Sequence, residues 1–363
     1  MAEQDVPVRP YEQTAARAHL TGQTPRPKTV TVDFHGHMRI PAADELVQPR
    51  VSADDVTNIR YANQTTLEAR AKQDQMRWRH LTEVEERLAD MDKMALDMMA
   101  ISCAPGQFYY HAEPSLGAES SQIVNDGIAE KIKGHEKRLV GIATVPLQDT
   151  DLAIAELERA INQLGFKGVE VGAGINDEEL STPRLEPFWS KCEQLDIPVF
   201  IHPTSFASPR LKRHMLTNTI GNPLETTVAV HYLIFDGVME RHPALKMFLA
   251  HGGGFAGAYG ARMDHAYGAR SDSRGSISAP PSTYLKRFYF DTVVFAVDQL
   301  EFLIGKYGTD HILAGTDYPF AMGEYDPVEH VYQAGGLSEA DREKICGLNA
   351  LSLMNLDPQQ FAT

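Results

Sequence analysis

Thr29-Val30-Thr31-Val32-Asp33-Phe34-His35-Gly36-His37 is an apolar, β-branched run that ends in two histidines. As a strand it repeats every two residues, so His35 and His37 project from one face with Cα atoms roughly 6.6 Å apart. Two imidazoles at that separation can meet one ion at about 2.0–2.1 Å from each nitrogen. On a helix the i and i+2 positions face apart, and no such meeting follows. Alone, the pair is as well explained by the end of a surface strand. Its weight comes from the recurrence of His or Asp at the ends of later apolar runs.

From Thr82 onward, helix and strand alternate. An amphipathic helix over 82–94 precedes a strand over 96–102, helix 119–135 precedes strand 138–145, and helix 150–164 precedes strand 167–171. Helix 184–195 leads to strand 198–202, helix 223–240 to strand 246–251, helix 254–268 to strand 287–292, and helix 297–307 to strand 311–317. Helices over 327–335, 338–347 and 349–355 close the chain. Short, continuously apolar strands separated by helices imply a parallel sheet covered on both faces. Counting the first run, eight such units fit a (β/α)8 TIM barrel better than an open sheet. The expected organisation is one α/β barrel domain over 29–357. Residues 1–28, polar and rich in proline, read as an extended N-terminal arm. Residues 38–80 read as an irregular insertion across one barrel end, partly helical from about Thr66.

The chain has 363 residues, 43% hydrophobic and 23% charged, which suits a soluble globular protein with a large core. Its formal charge of −15 disfavours nucleic acid and anionic membrane as partners. An acidic substrate would need a few placed arginines to overcome that background. The 3 cysteines, Cys103, Cys192 and Cys346, are odd in number and far apart, which points to a reducing compartment and no disulfide framework. The start lacks a basic, apolar leader, and no run of about eighteen apolar residues occurs, so the expected location is the cytoplasm.

Groups able to bind metal fall at the C-terminal ends of the strands: His35 and His37, then His202, His251 and Asp317. In a (β/α)8 barrel those ends converge on the catalytic face. Three imidazoles and a carboxylate suit one divalent cation, Zn²⁺ first and Mn²⁺ second, so His35, His37, His202 and Asp317 are the expected ligands. His251 is expected to act beside the ion as a proton carrier. The fourth barrel strand offers Gly168-Val169-Glu170-Val171-Gly172 and no lysine at its end to bridge two metals, which favours a single ion. Gly252-Gly253-Gly254-Phe255-Ala256-Gly257 matches a dinucleotide fingerprint, but it belongs to the sixth strand and not to an opening βαβ unit. No organic cofactor is expected.

The segments Val-Asp-Phe-His-Gly-His, Ile-His-Pro, Leu-Ala-His-Gly-Gly-Gly and Ala-Gly-Thr-Asp-Tyr-Pro-Phe, in this order and spacing, resemble the amidohydrolase superfamily. The nearest branch is that of α-amino-β-carboxymuconate-ε-semialdehyde decarboxylase. The resemblance implies a metal-dependent nonoxidative decarboxylase of a small unsaturated or aromatic carboxylic acid. It also implies a homodimer in which Arg262 reaches the neighbouring subunit to hold a substrate carboxylate; read without it, Arg262 is a solvated helix charge. Two departures bear on the substrate. Thr204-Ser205 replaces the Trp-Asp pair of that branch, and its second substrate arginine has two candidates here, Arg77 and Arg79. The alternatives are a hydrolase cleaving a C–C, lactone or amide bond at the same site, and a noncatalytic metal-binding scaffold. Asp291 ends the seventh strand, as a partner to the site or as a helix cap. Arg210, Lys212 and Arg213 form a basic cluster that either greets an anion or is a solvated loop. His80, His111, His214, His231, His242 and His265 read as structural or solvated.

Overall fold

Nine parallel strand segments make the barrel wall: β1 Val32–Met38, β2 Met98–Cys103, β3 Leu139–Gly141, β4 Ala143–Thr144, β5 Val169–Gly172, β6 Pro198–His202, β7 Lys246–Leu249, β8 Tyr289–Asp291 and β9 Ile312–Leu313. The computed structural model describes residues 26–361. The segments pair in the orders β1-β2-β3 and β4 through β9. Only Ile142 separates β3 from β4, and its N–H donates to Ile101 O at 2.8 Å, so the two are halves of one strand and the wall has eight. First and last strands also meet: Phe34 N–H donates to Ala314 O (3.0 Å), Asp317 N–H to His35 O (2.8 Å) and His37 N–H to Tyr318 O (2.8 Å). These bonds close the ring, and the expected (β/α)8 architecture is what forms.

Inside the barrel, Phe34, Phe200 and Phe248 pack with ring centroids 4.8 Å (Phe34–Phe248), 4.9 Å (Phe200–Phe248) and 6.5 Å (Phe34–Phe200) apart. Leu351 and Met354 of the C-terminal segment join the same buried cluster. Phe34 and His35 are neighbours in sequence, yet Phe34 fills this core while the His35 ring lies 4.8 Å from that of Phe200. A regular strand would send them to opposite faces. The register of β1 on β2 shifts between Asp33 and Gly36, a bulge that re-aims the chain and brings both histidines inward.

Most expected elements form within a few residues of their expected limits, and helix Val297–Tyr307 and strand Pro198–His202 match them fully. Three differ. The helix expected over 223–240 is two, Gly221–Phe235 and Val238–Arg241, because Gly237 at φ 79° turns the chain between them. The last strand, expected over 311–317, keeps ladder geometry only at Ile312–Leu313. The insertion is far more regular than expected, with helices Pro41–Val47, Thr57–Arg60, Gln64–Met76 and Trp78–Thr82. The arm expected over 1–28 lies outside the described residues, except for 26–28. Among the described residues, no helix is long and apolar enough to cross a membrane.

Candidate metal centre

His35 and His37 leave β1, His202 ends β6, and Asp317 follows β9; one ligand atom from each falls within 4.8 Å of the others, and all four residues are buried. Asp317 Oδ1 lies 3.4 Å from His35 Nε2, 3.2 Å from His37 Nε2 and 3.9 Å from His202 Nε2. The Nε2 atoms of His35 and His37 are 3.1 Å apart. His202 Nε2 and Asp317 Oδ1 are buried without a hydrogen-bond partner among the described residues. Such atoms cost free energy unless something satisfies them. A cation among them does so.

The other side of each imidazole is fixed. His35 Nδ1 meets Asp291 Oδ2 at 2.7 Å, His37 Nδ1 meets Cys103 O at 2.9 Å, and His202 Nδ1 meets Pro203 O at 2.8 Å. An oxygen acceptor at each Nδ1 places the proton there and leaves the Nε2 lone pair facing the centre. Electrostatics agree for two of the three rings. Burial pushes His37 down to about 4 and His202 well below the usual histidine range. Both are therefore neutral, as metal binding requires. Burial also opposes the charge of Asp317, but hydrogen bonds with His251, His35 and His37 outweigh it and hold the carboxyl well below its ordinary value. His35 is the exception. Burial works against its charge, yet bonds to Asp291 and Asp317 lift it to about 10, so a proton stands where a cation would compete.

His251 sits apart from the four. Its Nε2 is 3.4 Å from Asp317 Oδ2, and its Nδ1 has no partner among the described residues. Its backbone is left-handed (φ 55°), and its N–H donates to Asp291 Oδ2 at 2.8 Å. Asp291 thus holds His35 by the ring and His251 by the backbone, and it also accepts from Gly252 N–H at 2.7 Å. The glycines that follow are needed for close packing: a Cβ on Gly254 would meet Pro223 O at 2.2 Å, and one on Gly252 would meet Val294 Cγ1 at 2.4 Å. No phosphate cradle is required to explain them.

Sequence reading missed Glu170, which lies behind His37 with Oε1 at 3.6 Å from Nδ1 and is pushed up to about 8 by burial. A carboxylate in the otherwise apolar Val-Glu-Val run was the available signal. It also missed Ser102, 3.1 Å from His37 Nδ1. Above the centre opens a cavity of about 1120 Å³ whose walls include His202, Asp317, Arg77, His111, Arg213 and His214. His111 and His214, read from the sequence as structural or solvated, line this cavity. Arg77 is 7% exposed, while Arg79 points to solvent and pairs with Glu83 and Glu86. Arg262 is exposed on helix Gly254–Ala269 and does not line the cavity of its own chain.

The amidohydrolase family pattern matches residues 32–356. This chain belongs to that family. It is 34% identical over 277 residues to the 2-amino-3-carboxymuconate-6-semialdehyde decarboxylase of Dictyostelium discoideum, covering 76% of this chain and 77% of the relative. In fold it is similar to a 5-carboxyvanillate decarboxylase from Sphingomonas paucimobilis, with a TM-score of 0.81, 22% identity, and coverage of 91% of this chain and 100% of that one. It is also similar to a dihydroxybenzoic acid decarboxylase from Polaromonas sp. JS666, solved with manganese and 2-nitroresorcinol, at TM-score 0.75 and 24% identity, covering 90% of this chain and 97% of that one.

Proposed function

We propose that this family member is a metal-dependent nonoxidative decarboxylase of a small unsaturated or aromatic carboxylic acid, holding one divalent cation on His35, His37, His202 and Asp317. The observation that carries the reading is the convergence of three buried imidazoles, each held at Nδ1, on one carboxylate oxygen beside an arginine-bearing cavity. Three nitrogens and one carboxylate favour Zn²⁺, with Mn²⁺ second. When bound, the cation supplies positive charge for the oxygen of an enolate or phenolate. Arg77, with Nε and Nη1 buried and without partners among the described residues, anchors an anionic group of the substrate. Its guanidinium is placed by Asp74 at 2.7 Å and by the Phe320 ring at 5.3 Å. His251 delivers a proton to the carbon bearing the carboxylate; the C–C bonding pair then restores conjugation, and CO₂ leaves. Residues 29–357 act as one catalytic unit, with 38–80 as a wall of its cavity.

The test is a screen of the metal-loaded protein against carboxylated phenols and ring-cleavage dienols. Expected are CO₂ release, no oxygen taken from labelled water, loss of turnover on chelation and recovery on adding metal back. Labelled oxygen in the product without CO₂ would point to a hydrolase instead.

The active unit is a homodimer in which Arg262 completes the partner's site. Phe255, Tyr259 and Arg262 form one stripe on their helix, with Phe255 41% and Tyr259 68% exposed, a face suited to a second copy. Mixing His251→Ala with Arg262→Ala protein should restore about a quarter of wild-type activity, because half the pairs are mixed and one of their two sites is whole. No recovery on mixing would remove the shared-site arrangement.

A further inference from the structure

The cavity is larger than a monocyclic acid needs, since pockets for drug-sized ligands end near about 1,000 Å³. One of its walls is the helix Gln64–Met76, the part of the insertion expected to be helical from about Thr66. Thr66, Ala69, Arg70, Gln73, Asp74 and Arg77 line the space, and their spacing puts them on one face. The loop after β6, with Arg213 and His214, lines the same space and is joined to the start of that helix where Asn63 N–H donates to Lys212 O at 2.9 Å.

The charges on these walls do not cancel. Arg39 is held by Asp44 through bonds of 2.7 and 2.8 Å, Arg77 shares Asp74, and Asp317 faces the imidazoles. Arg70 and Arg213 are left over. Arg70 bonds only to Asn58, at 3.1 Å to the side-chain oxygen and 3.4 Å to the carbonyl, and no carboxylate pairs with it or with Arg213 among the described residues. In a chain of net charge −15, two guanidiniums without an ion-pair partner of their own, Arg70 having only the attraction of Asp74, which already bonds Arg77, form a local positive field that draws and holds an anion. Arg70 and Arg77 stand seven positions apart, about 10 Å along the axis between their backbones. An acid anchored at Arg77 therefore leaves a second cation about two turns further along the same wall.

We propose that the outer cavity is a second anion-binding subsite, built on Arg70 and Arg213, that takes the far carboxylate of an elongated acid whose reacting end lies over the metal centre. The choice of reacting end rests on the decarboxylase reading; the subsite does not.

Two probes separate the claims. One is a hydroxybiphenyl dicarboxylic acid, with one carboxylate ortho to the hydroxyl and the other para on the far ring. The second is the matching monoacid without the far carboxylate. Calorimetric titration of the metal-loaded full chain should show the diacid binding about tenfold more tightly. Arg70→Ala should cut that advantage to under about twofold, and Arg213→Ala, at an exposed loop position, should cut it partway, while Arg70→Lys keeps more of it than Arg70→Ala. Equal binding of diacid and monoacid to the wild-type protein overturns the subsite, as does an advantage that survives in both alanine variants. CO₂ is measured alongside. A diacid preference without CO₂ from either probe or from any phenolic acid leaves the subsite standing and ends the decarboxylase reading; CO₂ from single-ring acids without the preference does the reverse.

Discussion

His251→Ala is expected to keep its cation and lose CO₂ release by about 10²- to 10⁴-fold, the range a positioned proton donor contributes. The geometry separates retention from activity. The four atoms that converge on one point belong to His35, His37, His202 and Asp317; the His251 ring stands beside those of His35 and His202, at 5.3 and 5.1 Å, but its Nε2 meets the other oxygen of Asp317, Oδ2, at 3.4 Å. Its removal takes away no converging atom. Asp291 would still accept the backbone N–H of residue 251 and still hold His35. What is lost is a ring whose Nδ1 has no partner among the described residues and whose Nε2 sits beside the carboxylate that faces the centre. Metal content by plasma mass spectrometry, set against turnover, decides the matter. A variant that loses metal together with activity would show His251 to be a ligand.

That separation was legible in the sequence only in part. The converging cluster was visible because a parallel barrel places strand ends on one rim, and five chemically suited residues stood there. Their orientation was not visible, because two of the three Nδ1 acceptors are backbone carbonyls, Cys103 O and Pro203 O, which carry no side-chain signature. Asp291 is a side chain at a strand end, and it was noticed. The insertion was legible only from about Thr66, and helices Pro41–Val47 and Thr57–Arg60 before it were not foreseen. Even helix Gln64–Met76 buries none of its residues and so lacks the apolar stripe by which periodicity is read. Its start does carry a local mark, since the Asn63 side chain accepts from Thr66 N–H at 3.0 Å. The end of the last strand was over-read because the small residues Ala314 and Gly315 carry no mark of where the regular ladder stops; beyond Leu313 the chain bonds β1 and turns left-handed at Asp317 (φ 57°).

Asp317→Asn tests the centre itself and should have the largest effect. The amide keeps the size and shape of the carboxylate, and the backbone bond from residue 317 to His35 O is unaffected, so folding is preserved. The charge is not. Oδ1 faces three Nε2 atoms within 3.9 Å, and these offer a cation lone pairs but no negative charge. Removing a group that merely orients a ligand costs about 10- to 100-fold in metal affinity, and removing the ligand's charge should cost more. Because a cation that binds only the folded state stabilises it by mass action, wild-type protein should melt at a higher temperature as Zn²⁺ or Mn²⁺ is added. In Asp317→Asn that rise should vanish at the same concentrations, together with CO₂ release. An unchanged metal-dependent shift would mean that the cation rests on other atoms. The convergence of the imidazoles would then serve the fold and not the chemistry.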